Sequence, residues 1–136
     1  MIALSQLRTH FLNALIRASE ITHRTLVLPL LIFYPTGRCN SRCLSCDWWK
    51  STGDGELSLE EIDSLSRMLR SIGTRVVVFS GGEPLLRPDV FEIAGLFRRE
   101  QVRVELLTSG VLLHRYIDNV AGLFDRLTIS LDAASP

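Results

Sequence analysis

The chain has 136 residues, of which 46% are hydrophobic, so it is long enough to form one domain with a buried core. Its fifteen basic and fifteen acidic residues cancel, which removes any general electrostatic argument for binding nucleic acid or an anionic membrane. The longest apolar stretch, residues 26–34, is far shorter than the roughly 20 residues that span a bilayer. We therefore expect a cytoplasmic protein whose thiols stay reduced.

The chain begins with a predicted amphipathic helix. Apolar residues recur at three- and four-residue steps over residues 4–18, and this stripe needs a partner surface. We assign residues 1–25 to this helix and its lead-in, and residues 26–136 to a core domain. A first strand is predicted over residues 26–33, where Pro29 indicates a bulge or a late start because it has no N–H to donate.

Three cysteines, Cys39, Cys43 and Cys46, directly follow this strand, and the chain has no others. Three closely spaced thiolates can hold three corners of a cubane [4Fe–4S] cluster, which leaves the fourth iron without a protein ligand. A disulfide scaffold normally uses an even number of cysteines. A structural zinc site needs a fourth ligand, and no histidine is close in sequence. The cysteines by themselves favour a cluster but leave zinc and unrelated buried thiols open.

Helices and strands alternate after the cysteines. Ser58 and Glu61 have the form of a capping box, which predicts the start of a helix that Gly73 can end. The later elements are a strand at 75–79 buried on both faces, a helix at 88–100 opened by Pro88, a strand at 102–107, a weaker helix at 114–123 and a strand at 127–131. This alternation predicts an α/β fold with a parallel sheet and right-handed crossovers.

The sequence stops soon after the fourth predicted strand, at residues 131–136. A parallel sheet that ends on an uncovered strand leaves an apolar edge, which natural domains usually avoid. We therefore expect a core truncated after the fourth strand, to be completed by a further segment or by a second chain.

Distinctive residues follow each of the later strands as well. They are Ser80-Gly81-Gly82-Glu83-Pro84, Thr108-Ser109-Gly110 and Ser130-Leu131-Asp132. Because ligands bind at the C-terminal ends of parallel strands, we expect one polar rim. Gly81 and Gly82 are expected to let the backbone approach a ligand, and Pro84 to hold Glu83 extended and fix where its carboxylate points. A side chain at Gly82 is then expected to block the ligand without disturbing the thiolates. The alternative is an ordinary strand-to-helix turn.

The fourth predicted strand alternates between apolar and polar residues. Leu127, Ile129 and Leu131 fall on one face, while Thr128 and Ser130 fall on the other. A polar inward face suits a barrel that is open enough to hold a ligand.

The order and positions of these motifs resemble the radical S-adenosylmethionine (radical SAM) superfamily. The matching motifs are Cys39-x3-Cys43-x2-Cys46, Gly81-Gly82-Glu83-Pro84 and Ser130-Leu131-Asp132. The resemblance implies a partial (β/α)6 TIM-like barrel, with about the first four β/α units and an N-terminal helix present. It implies that the three cysteines bind a [4Fe–4S] cluster, whose fourth iron takes the amino and carboxylate groups of S-adenosylmethionine.

The resemblance also implies an activity and further contacts. Reductive cleavage of S-adenosylmethionine would give a 5′-deoxyadenosyl radical that abstracts hydrogen from an unknown substrate, with electrons from a donor such as flavodoxin or ferredoxin. The segment Gly81-Gly82-Glu83-Pro84 would contact the methionine amino group. Ser130, with Thr108 or Ser109, would reach the ribose or carboxylate.

The sequence departs from the family pattern at two positions. Ser45 stands where the family often has an aromatic residue, and Ser109 stands where it commonly has asparagine. Trp48 and Trp49 either supply the missing apolar cover or pack against the first helix.

Two other functions are open: a truncated or split cluster-binding module without independent catalysis, and a structural metal-binding or electron-transfer domain.

Overall fold

In the computed structural model, which describes residues 2–131, the strands form one parallel sheet in the order β1-β2-β3-β4. The strands are β1 (Leu30–Thr36), β2 (Val76–Gly81), β3 (Arg103–Thr108) and β4 (Arg126–Ile129). The helices are α1 (Ile2–Thr22), α2 (Leu59–Ser71), α3 (Val90–Arg99) and α4 (Leu113–Leu123), with short 3₁₀ turns at Trp48–Lys50 and Pro84–Leu86. The predicted α/β alternation and parallel sheet are confirmed.

Strand β1 has the late start that Pro29 indicates, and it ends three residues later than the sequence predicts. It begins at Leu30, immediately after Pro29, whose carbonyl accepts the N–H of Arg75 at 2.9 Å. Pro29 therefore occupies a position where pairing with the neighbouring strand needs its carbonyl as an acceptor and needs no N–H donor. The strand continues to Thr36, and its register with β2 shifts between Phe33 and Thr36. This irregularity lies directly before the cysteines.

Helix α3 also differs from its prediction. It begins at Val90 with Asp89 as the N-cap residue, and not at Pro88. The residues before it form the separate 3₁₀ turn Pro84–Leu86, in which the Glu83 carboxylate accepts the N–H of Leu85 at 3.2 Å. The Asp89 carboxylate accepts hydrogen bonds from the Arg87 guanidinium and does not cap α3 itself.

The sheet has one face covered by α2, α3 and α4, which we call the helix face, and an opposite open face. Phe33, Phe79 and Phe97 pack on the helix face with ring centroids 5.5–5.8 Å apart. The prediction that β2 is buried on both faces is wrong. Val77 and Phe79 are fully buried, whereas Val76 and Val78 are only partly buried on the open face. In a barrel-like sheet this second face lines the interior.

Helix α1 lies against the other end of the sheet from the cysteines. Its Leu12 is buried near Gly73 and Val27, where the chain turns from α2 into β2. Leu7 and Phe11 of the same helix are about two thirds exposed, so only part of the predicted stripe is covered. Within residues 2–131 no helix is both long and apolar enough to cross a bilayer. The domain division at residue 26 stays a prediction.

Candidate functional site

A cavity of about 220 Å³ opens where the strands of the sheet end. Every predicted site residue except Pro84 lines it; these are Cys39, Cys43, Cys46, Gly81, Gly82, Glu83, Thr108, Ser109 and Ser130. Pro84 is buried in the 3₁₀ turn and keeps Glu83 extended, with φ −104° and ψ 106°, as the sequence predicts. Asp132 lies outside the described residues. The expected single rim is confirmed, while the ligand contacts of its members stay predictions.

Sequence reasoning missed several residues of this cavity as site residues. Ser41, Ser80 and Leu107 also line it, together with Ser45 and Trp48. Leu107 and Thr128 are register partners on the open face, so strand alternation could have placed Leu107 at this rim. Ser41 and Ser45, which lie between the cysteines, carry no such signal, because nothing local fixes which loop side chains face inward.

All three cysteines are free thiols and are partly exposed. The N–H of Ser41 points at the Cys39 sulfur, 3.5 Å away, and the N–H of Cys46 donates to the Cys43 carbonyl at 3.3 Å. Hydrogen bonds to sulfur stabilise thiolates and are among the factors that tune cluster potentials. The residues from Thr36 to Glu56 that carry these thiols are called the cysteine loop below.

Across residues 2–131, no three His, Cys, Asp or Glu side chains converge as the ligands of a single metal ion do. A cubane cluster is bound differently, because each thiolate ligates a different iron. Three cysteines around an open cavity, one of them receiving an N–H, form a donor set that fits a [4Fe–4S] cluster.

Gly82 lies directly beneath the cysteine loop. A Cβ atom on Gly82 would lie 2.1 Å from the Arg38 carbonyl oxygen, a distance that no side chain tolerates. The N–H of Gly82 donates to the Thr36 carbonyl at 3.2 Å, and that of Glu83 donates to the Arg38 carbonyl at 2.8 Å. The expectation that a Gly82 side chain would leave the thiolates undisturbed is therefore wrong. The space beside its Cα is occupied by the loop that carries them.

Gly81 is required for a related reason. Its φ is +95°, a left-handed conformation that favours glycine, and a Cβ there would lie 2.9 Å from the Cβ of Tyr34. Both glycines thus let the end of β2 pack closely against β1 and the start of the cysteine loop.

The Glu83 carboxylate is 1% exposed and accepts four hydrogen bonds. Its Oε1 accepts from the Thr108 hydroxyl at 2.8 Å and from the N–H of Leu85 at 3.2 Å. Its Oε2 accepts from the N–H and the hydroxyl of Ser109 at 2.9 and 2.7 Å. Because an ionised carboxylate has about four acceptor positions, these donors satisfy it. Glu83 thereby joins the end of β2 to the end of β3, and Ser109 serves this link.

The two tryptophans have different environments. Trp48 lines the cavity and packs edge-on against Tyr34, with ring centroids 5.2 Å apart. Trp49 lies between two cations, with the Arg42 guanidinium 5.5 Å and the Lys50 ammonium 5.3 Å from its ring centre. Of the two tryptophans, Trp48 is therefore the one that lies at the cavity, and its role as apolar cover for a ligand stays a prediction.

Ser130 reaches the rim by extending the pairing of β3 with β4. Its N–H donates to the Thr108 carbonyl at 2.9 Å, one position beyond the last paired residue of β4. Within β4, Leu127 pairs with the buried Leu106 and Thr128 with Leu107, which agrees with the predicted alternation for these two residues. Ser130 and Leu131 lie beyond the end of the strand, so the alternation there stays a prediction.

Comparison with known proteins decides the family. A family model described as the radical SAM superfamily matches residues 33–136, which include all three cysteines and the glycine turn. The chain belongs to the radical SAM superfamily. Its similarity to individual members is distributed over several differently named enzymes.

Two curated relatives illustrate this. The chain is 38% identical over 106 residues to a probable GTP 3′,8-cyclase of Methanococcus maripaludis, a match that covers 74% of this chain and 35% of the relative. It is 39% identical over 111 residues to an AdoMet-dependent heme synthase of Methanosarcina barkeri, covering 78% of this chain and 32% of the relative. This radical SAM chain spans about a third of the length of the curated relatives it matches.

Solved structures share the fold at lower identity. BtrN in complex with AdoMet and 2-DOIA superposes with a TM-score of 0.67 at 19% identity, covering 81% of this chain and 48% of BtrN. Streptococcus suis SuiB bound to S-adenosylmethionine gives a TM-score of 0.69 at 18% identity, covering 78% and 25%. These matches support the radical SAM fold, a partial TIM-like α/β barrel.

Proposed function

We propose that this chain is the cluster-binding part of a radical SAM enzyme that cleaves S-adenosylmethionine reductively. The observation that carries the proposal is that three thiols and the residues after β2, β3 and β4 line one cavity. The family match supports the same conclusion, because it covers all of these residues. Cys39, Cys43 and Cys46 would hold a [4Fe–4S] cluster at this cavity.

The other residues of the cavity would position S-adenosylmethionine. The Glu83 side chain is satisfied by protein donors, so contact with the methionine amino group falls to the main chain of residues 81–83. Ser130, with Thr108 or Ser109, would reach the ribose or the carboxylate. Because the hydroxyls of Thr108 and Ser109 donate to Glu83, either would meet the ligand as a hydrogen-bond acceptor, as for a ribose hydroxyl. Trp48 would supply the apolar cover that an aromatic residue at position 45 often gives in the family. The bound cofactors supply one-electron cleavage of the C5′–S bond and a radical that abstracts hydrogen from substrate.

We propose only the reductive cleavage of S-adenosylmethionine and assign no substrate. The two relatives described above are about equally similar to this chain, yet one is named for cyclising GTP and the other for heme synthesis. We further propose a flavodoxin- or ferredoxin-like electron donor, completion of the barrel by a further segment or second chain, and a cytoplasmic location.

Anaerobic reconstitution with iron and sulfide tests the cluster. We expect wild-type protein to take up about four irons, and Cys39→Ala, Cys43→Ala and Cys46→Ala each to lose the oxygen-labile cluster, because two thiolates do not secure a cubane. Leu44→Ala serves as the matched control and should retain iron, because Leu44 lies in the same loop, is fully exposed and does not line the cavity. Near-normal iron in one cysteine variant would contradict the assignment of that cysteine.

Reduction in the presence of S-adenosylmethionine tests the reaction. We expect 5′-deoxyadenosine and methionine to accumulate, measured by mass spectrometry, and to be absent in all three cysteine variants. Iron uptake with a spectral response to S-adenosylmethionine but no cleavage would favour the split module. Iron uptake without any response would favour an electron-transfer domain.

A further inference from the structure

The buried side chain of Arg87 contacts two other segments near the cysteines, besides Asp89 in its own segment. Its exposure is 5%, and its Nε and Nη2 donate to the two carboxylate oxygens of Asp89 at 2.7 and 3.1 Å. Its Nη1 donates to the carbonyl of Pro35 at 2.7 Å, and its Nη2 also donates to the carbonyl of Leu57 at 2.7 Å. One guanidinium therefore holds the end of β1, through Pro35, and the residue that precedes the N-cap of α2, through Leu57.

Glu56 lies beside this guanidinium and makes the same connection through its carboxylate. Oε1 accepts the hydroxyl of Thr36 and pairs with Nε of Arg38 at 3.4 Å. Oε2 lies 4.0 Å from Nη1 of Arg87, and the Glu56 side chain is 22% exposed. The N–H of Arg38 also donates to the Thr36 hydroxyl at 3.0 Å, so the residue next to Cys39 belongs to this network.

These contacts close the cysteine loop at its base. Thr36 and Glu56 are 20 positions apart, and all three cysteines lie between them. The second half of the loop also folds back on its first residues. A Cβ on Gly37 would lie 2.4 Å from the Ser51 hydroxyl oxygen, and one on Gly53 would lie 2.8 Å from the Arg38 side chain.

A buried ionic network is weak evidence for stability by itself, because apolar residues of similar volume often stabilise a fold as well. What it provides is geometry, since a guanidinium fork fixes several acceptors in one plane, which an ammonium cannot do. Here those acceptors are the two ends of the loop that carries the thiols. Sites that must bind with fixed geometry depend on such support from outside the ligand set.

We propose that Arg87 and Glu56 form a clamp that holds the cysteine loop in its binding geometry before any metal arrives. Both are positioning residues, since they act through the loop and not on a ligand. The clamp is a property of the metal-free chain, and the proposal rests on the proposed function only in what the three thiols bind.

Limited trypsin digestion of the metal-free, full-length chain tests the clamp. The loop contains the cleavage sites Arg38, Arg42 and Lys50, and neither Arg87→Lys nor Glu56→Gln removes a site. We expect both variants to be cut within the loop at least about tenfold faster than wild type, because cleavage follows the population of the locally open form. Cleavage outside the loop and the thermal midpoint report on global folding.

Arg98→Lys is the matched control. Arg98 donates to the Leu123 carbonyl at 3.0 Å and to Asp125 at 2.9 Å, away from the cysteine loop, so its loop cleavage should equal that of wild type. Loop cleavage at the wild-type rate in both clamp variants would overturn the proposal. So would an equal rise at all sites, or failure of both variants to fold, because either result assigns the residues to the whole domain.

A second readout uses reconstituted protein. In the clamp variants, the change that S-adenosylmethionine causes in the electron paramagnetic resonance spectrum of the reduced cluster should need at least about tenfold more S-adenosylmethionine, since a loosened site loses alignment. An unchanged titration with fast loop cleavage would also overturn the positioning role. If wild-type protein takes up no iron, the proposed function is wrong. The rates of trypsin cleavage within the loop still test the clamp in that case, because they are measured on metal-free protein.

Discussion

At the scale of single residues, the turn after β2 has a dual role. Its glycines and Glu83 line the cavity, yet their immediate neighbours are parts of the chain itself. The N–H groups of Gly82 and Glu83 donate to the carbonyls of Thr36 and Arg38 at the start of the cysteine loop, and the Glu83 carboxylate joins β2 to β3. A substitution in this turn will therefore change the shape of the site before it changes any ligand contact.

Replacing Gly82 tests this conclusion. Gly82→Ala should lower the free energy of unfolding by about 1–3 kcal/mol, as overpacking does, and should reduce iron uptake, because the Arg38 carbonyl must move. Gly95→Ala is the control: its Cβ would meet no atom within 4 Å, and helix α3 should gain about 0.5–1 kcal/mol. Urea unfolding and iron analysis give both quantities. Wild-type iron uptake in Gly82→Ala would show that the loop does not depend on this contact.

Replacing Glu83 tests the link between the strands. Glu83→Gln keeps the shape but turns an amide N–H₂ toward groups that are themselves donors, so we expect a loss of about 1–3 kcal/mol in the free energy of unfolding. Glu92→Gln, at an exposed position of α3, should stay within about 0.5 kcal/mol of wild type. If the two variants are equally stable in urea, the four hydrogen bonds to Glu83 contribute little.

At the scale of elements, helix α2 shows that a local signal can determine a boundary. The Ser58 hydroxyl accepts the N–H of Glu61 at 3.3 Å, and the Glu61 carboxylate accepts the N–H of Ser58 at 2.8 Å. The predicted capping box is therefore confirmed. The pKa of Glu61 lies below its usual range, and the largest cause is the hydrogen bond that its carboxylate accepts from the Ser58 N–H.

Removing the Ser58 cap should destabilise helix α2 without reducing iron uptake at the cysteines. Ser58→Ala should lower the free energy of unfolding by about 0.5–2 kcal/mol, measured in urea, because the first turn of α2 loses a hydrogen-bond acceptor. Iron uptake after reconstitution should match wild type, since the clamp uses Glu56 and the carbonyl of Leu57. Loss of iron in this variant would show that the start of α2 itself positions the loop.

At the scale of the whole molecule, Asp89, which pairs with Arg87 of the clamp, makes the stability of the protein depend on pH. The hydrogen bond from Arg87 holds the pKa of the Asp89 carboxyl below its usual range, and burial opposes this only in part. A carboxyl with a depressed folded-state pKa stabilises the protein fully above its unfolded pKa, about 3.9 for aspartate. That contribution is lost as the pH falls through the lower folded value.

The loss of this stabilising contribution at low pH predicts how an Asp89 variant should behave. Asp89→Asn should be less stable than wild type near neutral pH, and the difference should narrow as the pH falls below about 4. Urea midpoints measured across the acid range give the comparison. The pKa of Asp63 is lowered as well, chiefly by its hydrogen bond from Arg99, but it affects both proteins alike. A difference that stays constant with pH would contradict the ionic role of Asp89.

The sequence by itself determined the features that depend on neighbours along the chain. Helix periodicity, the Ser58 cap, the late start of β1 after Pro29 and the cysteine spacing act over a few residues, so they can be interpreted locally. The strand ends could be placed on one rim for a general reason, because parallel strands end at the same edge of a sheet.

Only the tertiary structure decided what the site residues contact. Glu83 meets Thr108 across 25 positions, and Arg87 meets the carbonyl of Pro35 across 52, and neither partner is encoded near its counterpart. The neighbour that makes Gly82 necessary is likewise a backbone oxygen of another segment. Such contacts arise only once strands pair in a particular register, because a buried polar group must find its partner in space, wherever that partner lies in the sequence.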